Sequence, residues 1–135
     1  MAVSLDASFC VYRAVIPHLA HDSSIVWLAS IAAHRGSATH AHCAASKAAL
    51  IGFGRSLALE RVPRTRVNAV SPGVIETPMT GTLIARSGRD LRAATPMQRC
   101  CTPGDVALAI AFLCLPLARF ISDETLLVSG GLYVA

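Results

Sequence analysis

Apolar residues along this chain follow two rhythms, and the alternation between them sets out the elements. Ile25–Ala29, Arg66–Val70 and Thr125–Val128 are short, mostly apolar runs bounded by polar or glycine-rich turns, the signature of buried strands. Between and around them the period lengthens. Leu5, Phe9, Tyr12 and Ile16 recur at i, i+4, i+7 and i+11 within residues 3–20, and Leu50, Phe53, Gly54 and Leu57 mark one face of a second helix. That second helix runs on to Glu60, and Pro63 ends it, because a proline disfavours helical geometry in the residue before it. A third helix opens at Thr102-Pro103-Gly104-Asp105 and continues as the apolar run Val106–Leu115. A capping threonine, a proline at the first helical position and an acid at the third make a strong start signal. Residues 79–101 are polar, rich in arginine and weakly patterned, which predicts a long loop. Strands alternating with helices predict a parallel sheet covered on both faces. No repeat, linker or low-complexity tract divides the chain, so residues 1–135 form a single unit.

Composition alters this picture in one respect. At 53% hydrophobic residues and a mean hydropathy of +0.53, the chain is apolar for a lone domain of 135 residues. The expectation is therefore that partners or further chain cover part of its surface. Val106–Leu115 is too short to span a bilayer, and no charged segment precedes an apolar one at the N-terminus, so neither membrane insertion nor a secretory leader is expected. The five cysteines are odd in number and lack framework spacing, which points to reduced thiols and a cytoplasmic location. The formal charge of +4 is spread over scattered arginines, the densest group being Arg61, Arg64 and Arg66 at a helix C-terminus. This is no nucleic-acid footprint.

The chemistry concentrates in Ser24–Glu60. A strand ends at Ser30, a Gly/Ser/Thr/His-rich loop follows, and a helix then carries Lys47. A hydroxyl at the carboxyl end of a strand, facing a lysine one turn into the next helix, lies where open α/β sheets hold ligands. Read alone, Ser30 also suits a turn cap, and Lys47 a solvated helix residue.

With these residues in view, the stretch resembles the short-chain dehydrogenase/reductase family. That family has a strand ending in a serine, a Tyr-x-x-x-Lys thirteen residues on, and text like "SKAAL" and "SLALE", both present here verbatim. Ser30 matches the serine and Lys47 the lysine, but Cys43 stands where the family has its tyrosine. "VSLDASFCVYRAVIPHL" is similar to the helix preceding the family's serine strand, with Ser4 at the position of a tetrad asparagine. Ser71-Pro72-Gly73-Val74-Ile75-Glu76-Thr77 matches the Pro-Gly-x-x-x-Thr segment, and Val128-Ser129-Gly130-Gly131 the family's Val-Asp-Gly-Gly. Four motifs in order cover nearly the whole chain. Together they imply a Rossmann-like doubly wound parallel sheet in incomplete form, its last three strands and their helices, because no Gly-x-x-x-Gly-x-Gly phosphate loop occurs in the 135 residues.

The resemblance implies an NAD(P)-dependent oxidoreductase acting on a small alcohol or carbonyl. Ser30, Cys43, Lys47 and Ser4 fall on the catalytic positions, and Lys47, Pro72, Gly73, Val74, Ile75 and Thr77 on those that bind cofactor. NAD or NADP is the implied cofactor; the residues that choose between them follow the family's second strand, outside the matched stretch. In the family, residues 79–101 correspond to a mobile substrate lid. Cys43 weakens the enzymatic expectation. A thiol is acidic enough, but a general acid must come within about 2.6–3.2 Å of its target, and cysteine is several atoms shorter than tyrosine. The chain by itself is therefore expected to bind NAD(P) weakly and to be inactive.

Two other readings belong beside this one. The chain could be a non-catalytic partner, since family members pair through the helices that hold residues 3–20 and 40–61 here, as a homo-oligomer or on a full-length relative. Alternatively, Met1 could be a mis-assigned start within a longer frame. Metal binding by His40, His42 and Cys43 is not expected, as no zinc-ligand spacing appears. A Ser30/His42 hydrolase is not expected either, without a nucleophile elbow.

Overall fold

A computed structural model describes residues 2–134. Three parallel strands form one sheet in the order β1 (Ser23–Leu28), β2 (Thr65–Pro72), β3 (Thr125–Val128). Ser23 pairs with Thr65 and Leu28 with Val70, while Ala69 pairs with Thr125 and Pro72 with Val128. Between strands run α1 (Ala7–Val15) ahead of β1, then α2 (Ala32–Arg35), α3 (Ala41–Arg61), α4 (Gly81–Ala94) and α5 (Pro103–Cys114). A π-helical turn, Ala2–Asp6, leads into α1, and a 3-10 turn, Ile16–His18, follows it. The expected incomplete, doubly wound α/β sheet is what forms.

Side-chain alternation along the strands sorts the core into two layers. Ile25, Trp27 and Val67 face α1 and α3, where Tyr12, Phe53, Leu57 and Ala58 pack on them. Val26, Val70, Leu126 and Val128 face the other way, onto Val106, Ile110 and Leu113 of α5. Helices thus cover both faces, and β2 is buried along nearly its whole length. Gly54 is required where α3 crosses β1: a Cβ there would stand 2.8 Å from Trp27 Cδ1.

Polar groups fasten the elements together. Buried Asn68 donates from Nδ2 to Ile121 O (3.0 Å) and accepts from Glu124 N–H (3.0 Å), fixing the chain that leads into β3. The last carbonyls of α5, left without helical partners, accept from side chains: Leu113 O takes both the Ser24 hydroxyl (3.1 Å) and Arg66 Nη1 (2.8 Å).

Three sequence expectations are corrected. Residues 79–101 are not a loop; α4 occupies most of them. Ile84 and Leu91, seven residues apart, are half-buried on one stripe of it, and the intervening arginines are good helix formers. So sparse an apolar pattern reads as a loop only if arginine is counted as merely polar. Val106–Leu115 is not a buried helix either: only Val106 and Leu113 of α5 are buried, and Leu108 is 74% exposed. An all-round apolar helix here covers the sheet with one face only. The first two strands shift slightly, beginning at Ser23 and Thr65 and ending at Leu28 and Pro72.

The start of α5 forms as its sequence predicts. Thr102 is the N-cap, its hydroxyl accepts from Asp105 N–H (3.2 Å), and Asp105 Oδ2 accepts from Thr102 N–H (2.8 Å). Arg99 adds a bidentate ion pair at 2.6 and 2.9 Å. The guanidinium first, then the Thr102 donors, hold the Asp105 carboxyl well below the usual carboxylate range. A depressed native value stabilises the fold at neutral pH. That contribution is lost on acidification, once the unfolded chain takes up a proton that the folded carboxylate refuses. Thermal melts of the wild-type chain should therefore drop between about pH 4 and pH 2, and Asp105→Asn should lose less over the same interval. Parallel curves for the two proteins would show that the pair does not couple to folding.

Candidate functional site at the carboxyl edge of the sheet

The site is built where β1 and β2 end. Beyond β1 the ladder continues, with Ala29 N donating to Val70 O (2.8 Å) and Ile31 N to Pro72 O (3.0 Å). Ser30 stands between these two buried residues and is itself half-buried, so the sheet backbone fixes its position. Its Oγ accepts from Ala32 N–H at 3.2 Å, the turn-cap role open to it from sequence alone. That bond uses a lone pair and leaves the hydroxyl proton free to donate.

Lys47 is no solvated bystander. Its Nζ donates to Leu28 O at 2.7 Å, carrying the ammonium from the second turn of α3 back to the end of β1, two residues before Ser30. One of its three donors is used and two remain. Cys43 lies one turn earlier on the same side of α3, since residues four apart share a face. The thiol is half-buried, and the Cys43 carbonyl accepts from Ser46 Oγ at 2.9 Å. The structure thus brings Ser30, Lys47 and Cys43 to one end of the sheet. Ser4 lies in the π-helical turn that packs on α3; its carbonyl accepts from the Ser8 hydroxyl, and no hydrogen bond among the described residues joins its side chain to the other three.

The second arm is the loop after β2. Pro72 ends the strand, and Gly73 N donates to Val128 O (3.0 Å). A Cβ on Gly73 would sit 3.3 Å from Ser129 Cα, so glycine allows the chain to turn tightly against the end of β3. Ile75 bridges to Cys101: Glu76 N donates to Cys101 O (2.8 Å) and Cys101 N to Val74 O (3.0 Å). This arrangement turns the Ile75 N–H away from Cys101, and it has no partner among the described residues. Val74 is half-buried between these bonds. Thr77 caps a 3-10 turn, Pro78–Thr80, its N–H donating to the Thr80 hydroxyl oxygen (3.1 Å) and the two hydroxyls lying 3.2 Å apart. Its hydroxyl is therefore held locally.

One cluster at this edge escaped the sequence reading. His34, in α2, contacts the fully buried Ser71 hydroxyl through Nε2 (3.0 Å) and stacks on Tyr133 at 5.4 Å between ring centres. It ties the Ser30 turn to the end of β2 and to the C-terminal segment. The available signal was its place four residues after Ser30, one helical turn away. Cys100 and Cys101 do not meet His40 or His42, and no group of three metal-ligating side chains occurs among the described residues. Burial, then the nearby Asp105 charge, pushes the Cys101 thiol up. A groove of about 330 Å³ lies beside β3, lined by Arg99, Cys101, Asp105 and Leu126–Gly130 among others, away from Lys47. No helix among the described residues is long and apolar enough to cross a membrane.

A doubly wound parallel sheet with a serine at one strand's end, a lysine returning to that strand from the following helix, and a Pro-Gly loop at the next strand's end belongs to the dinucleotide-fold α/β proteins, which hold ligands at this edge. Within that class the chain belongs to the short-chain dehydrogenase/reductase family. A family model described as Enoyl-(Acyl carrier protein) reductase matches residues 1–133. The chain is 36% identical to the short-chain dehydrogenase/reductase SDRA of Arabidopsis thaliana over 96% of its length. It is 38% identical to the 3-oxoacyl-acyl-carrier-protein reductase FabG of Chlamydia pneumoniae over 98%. A crystal structure of a short-chain dehydrogenase/reductase (glucose/ribitol dehydrogenase) from Brucella melitensis superposes with a TM-score of 0.97 at 46% identity over 99% of the chain. The chain spans about half the length of these relatives: 52%, 54% and 55% respectively.

Proposed function

We propose that these residues are the proton-handling half of an NAD(P)-dependent oxidoreductase site for an alcohol or carbonyl, and that the 135-residue chain has negligible turnover by itself. The observation that carries the reading is the 2.7 Å bond from Lys47 to Leu28 O, which holds a cation beside Ser30. The Ser30 hydroxyl, with its proton unspent, would donate to a substrate carbonyl. Lys47 would offer its remaining donors to the ribose of the cofactor and favour negative charge on any acid next to it. Cys43 would stand in for that acid at a distance it cannot span without a relaying water.

The residues present fit the nicotinamide end of a dinucleotide. The unpartnered Ile75 N–H and the close turn at Gly73 make a cradle for a flat amide; Pro72 and Val74 shape it, and Thr77 closes one side. Bound there, the nicotinamide supplies or accepts the hydride. Nothing comparable is found for the diphosphate among the described residues, where no glycine-rich turn opens a helix, the arrangement that normally binds it. Calorimetric titration with NADH and with NADPH should therefore give dissociation constants weaker than about 100 µM. Low-micromolar binding of either would overturn this.

A second reading, as a non-catalytic partner of a full-length relative or of another copy, has its own support. Phe9, Val11 and Val15 of α1 and Leu59 of α3 are exposed on the helices through which the family pairs. Co-purification with a full-length relative, in the absence of any turnover, would favour it.

A further inference from the structure

The amino edge of the sheet carries a feature that the oxidoreductase reading does not use. Two connections run side by side there. One leads from α1 through the 3-10 turn Ile16–His18 toward β1, and the other from the end of α3 through residues 62–64 into β2. Both are anchored at their strands, since the hydroxyls of Ser23, which starts β1, and Thr65, which starts β2, lie 2.8 Å apart. A groove of about 310 Å³ lies between the two connections, walled by Ile16, Leu19 and Val62 among others. The length of β1, Ser23–Leu28, puts about 17 Å between this end and the end where Ser30 and Lys47 lie.

Three charged residues line the groove, and they are not spent on one another. Of the arginines clustered at the end of α3, Arg66 is committed to the Leu113, Leu115 and Ile121 carbonyls. Arg61 is fixed from behind: its Nε donates to the Tyr12 hydroxyl (2.7 Å), and its guanidinium carbon lies 5.7 Å from the centre of the Tyr12 ring. The Nη1 and Nη2 donors of Arg61 have no partner among the described residues, and neither has the exposed guanidinium of Arg64. Glu60 lines the same groove without pairing with either arginine, because Arg99–Asp105 is the single ion pair among the described residues. The Glu60 carbonyl is open as well, since Arg64 N donates to Arg61 O instead. Carbonyls in the last turn of a helix favour a cation.

We propose that this groove binds a zwitterion with an aliphatic body, an apolar α-amino acid of the leucine type. The carboxylate would take the two-point donors of Arg61, with Arg64 beside it. The ammonium would lie against the Glu60 carboxylate and the open carbonyl at the end of α3. The side chain would cover Ile16, Leu19 and Val62. A plain anion meets Glu60 as a like charge, and a plain amine meets the two arginines; only a ligand carrying both charges uses all three groups. A groove of this volume lies at the small end of ligand sites, which suits a ligand of that size.

Ligand-observed saturation-transfer NMR on the whole chain tests this, with leucine, 4-methylpentanoate (the acid without the amine) and isoamylamine (the amine without the acid) as probes. Leucine is expected to bind with a dissociation constant below about 5 mM, and each analogue about threefold or more weakly than that. Glu60→Gln should weaken leucine about threefold or more while tightening 4-methylpentanoate. Arg64→Gln should weaken leucine to a similar degree while tightening isoamylamine. Arg86→Gln, at an exposed position elsewhere, should leave all three unchanged. This crossed response separates a charge-selective site from a general loss of structure. Glu60 and Arg64 are exposed, so both variants should fold, and circular dichroism melts check that they do. No saturable leucine signal up to about 20 mM, equal affinity for leucine and either analogue, or leucine binding indifferent to both Glu60→Gln and Arg64→Gln would each overturn the proposal. No cofactor or turnover enters the measurement, so its outcome is independent of the oxidoreductase reading.

Discussion

Cys43→Tyr is expected to leave the hydride-transfer rate of the 135-residue chain at background, and to raise it about 10² to 10⁴-fold once a cofactor-binding half is joined in front. The suitable donor of that half is the glucose/ribitol dehydrogenase of Brucella melitensis, of which the chain covers 55% at 46% identity. The reasoning separates two deficits. The first is placement of the cofactor: on the proposed reading the turn at Ile75 and Gly73 receives only the nicotinamide end, and a change at position 43 adds nothing that would hold the diphosphate. The second is reach. Cys43 shares a side of α3 with Lys47, and Lys47 holds the end of β1 through Leu28; on the proposed reading an acid at position 43 serves the carbonyl at Ser30, and a thiol there is too short to reach it. A phenol restores the missing length, and a neighbouring ammonium favours its ionised form. The readout is single-turnover oxidation of NADPH with a ketone panel, with Lys47→Met in the joined protein as the control that should remove most of the gain. A gain from Cys43→Tyr in the isolated chain would show that its own residues place the cofactor. No gain in the joined protein would show that position 43 does not face the reacting carbonyl.

How far the chain could be read in advance follows from where its information is local. The start of α5 was legible because Thr102, Pro103 and Asp105 act within one turn, and the reciprocal capping bonds form as read. Strands were legible because β2, between two helical layers, has to be apolar on both faces. Ser30 and Lys47 were legible as a pair because the strand–loop–helix order brings them together whatever else the fold does. The rest depends on tertiary choices. Whether Leu108 or Leu113 is covered depends on which side of α5 meets the sheet, and an all-round apolar helix does not encode that. α4 was missed because its two half-buried apolar positions, Ile84 and Leu91, are too sparse to stand out among arginines. The Pro-Gly-x-x-x-Thr match marks Thr77 as a cofactor-binding position, but it is silent on Thr80 three residues on, which binds it into a turn. His34 was passed over because its partners, Ser71 and Tyr133, are distant in sequence, and only the fold stacks them.

The chain is also expected to self-associate at tens of micromolar, through the outer edge of β1. Ala29 and Ile31 donate their N–H groups inward to β2, so by strand alternation Ser24, Val26 and Leu28 turn their backbone groups outward. No further strand pairs with β1 among the described residues. One outward group is covered: Leu28 O accepts from Lys47 Nζ, so the lysine that serves the site also blunts the end of the edge. Ser24 and Val26 keep both N–H and C=O open, beside side chains that are half-buried. An unpaired, apolar, proline-free edge is the arrangement that templates pairing with another chain. Size-exclusion chromatography with light scattering should give masses well above 14.1 kDa that rise with concentration. Val26→Pro should shift the distribution toward monomer, because proline removes an outward N–H without touching the bonds to β2; a circular dichroism melt confirms that this variant still folds. Lys47→Met should do the reverse, since it frees the Leu28 carbonyl and lengthens the open edge. A monodisperse 14.1 kDa species at every concentration would show that the edge is covered in solution, and unchanged association in Val26→Pro would place the contact elsewhere, on the exposed apolar faces of α1 or α5.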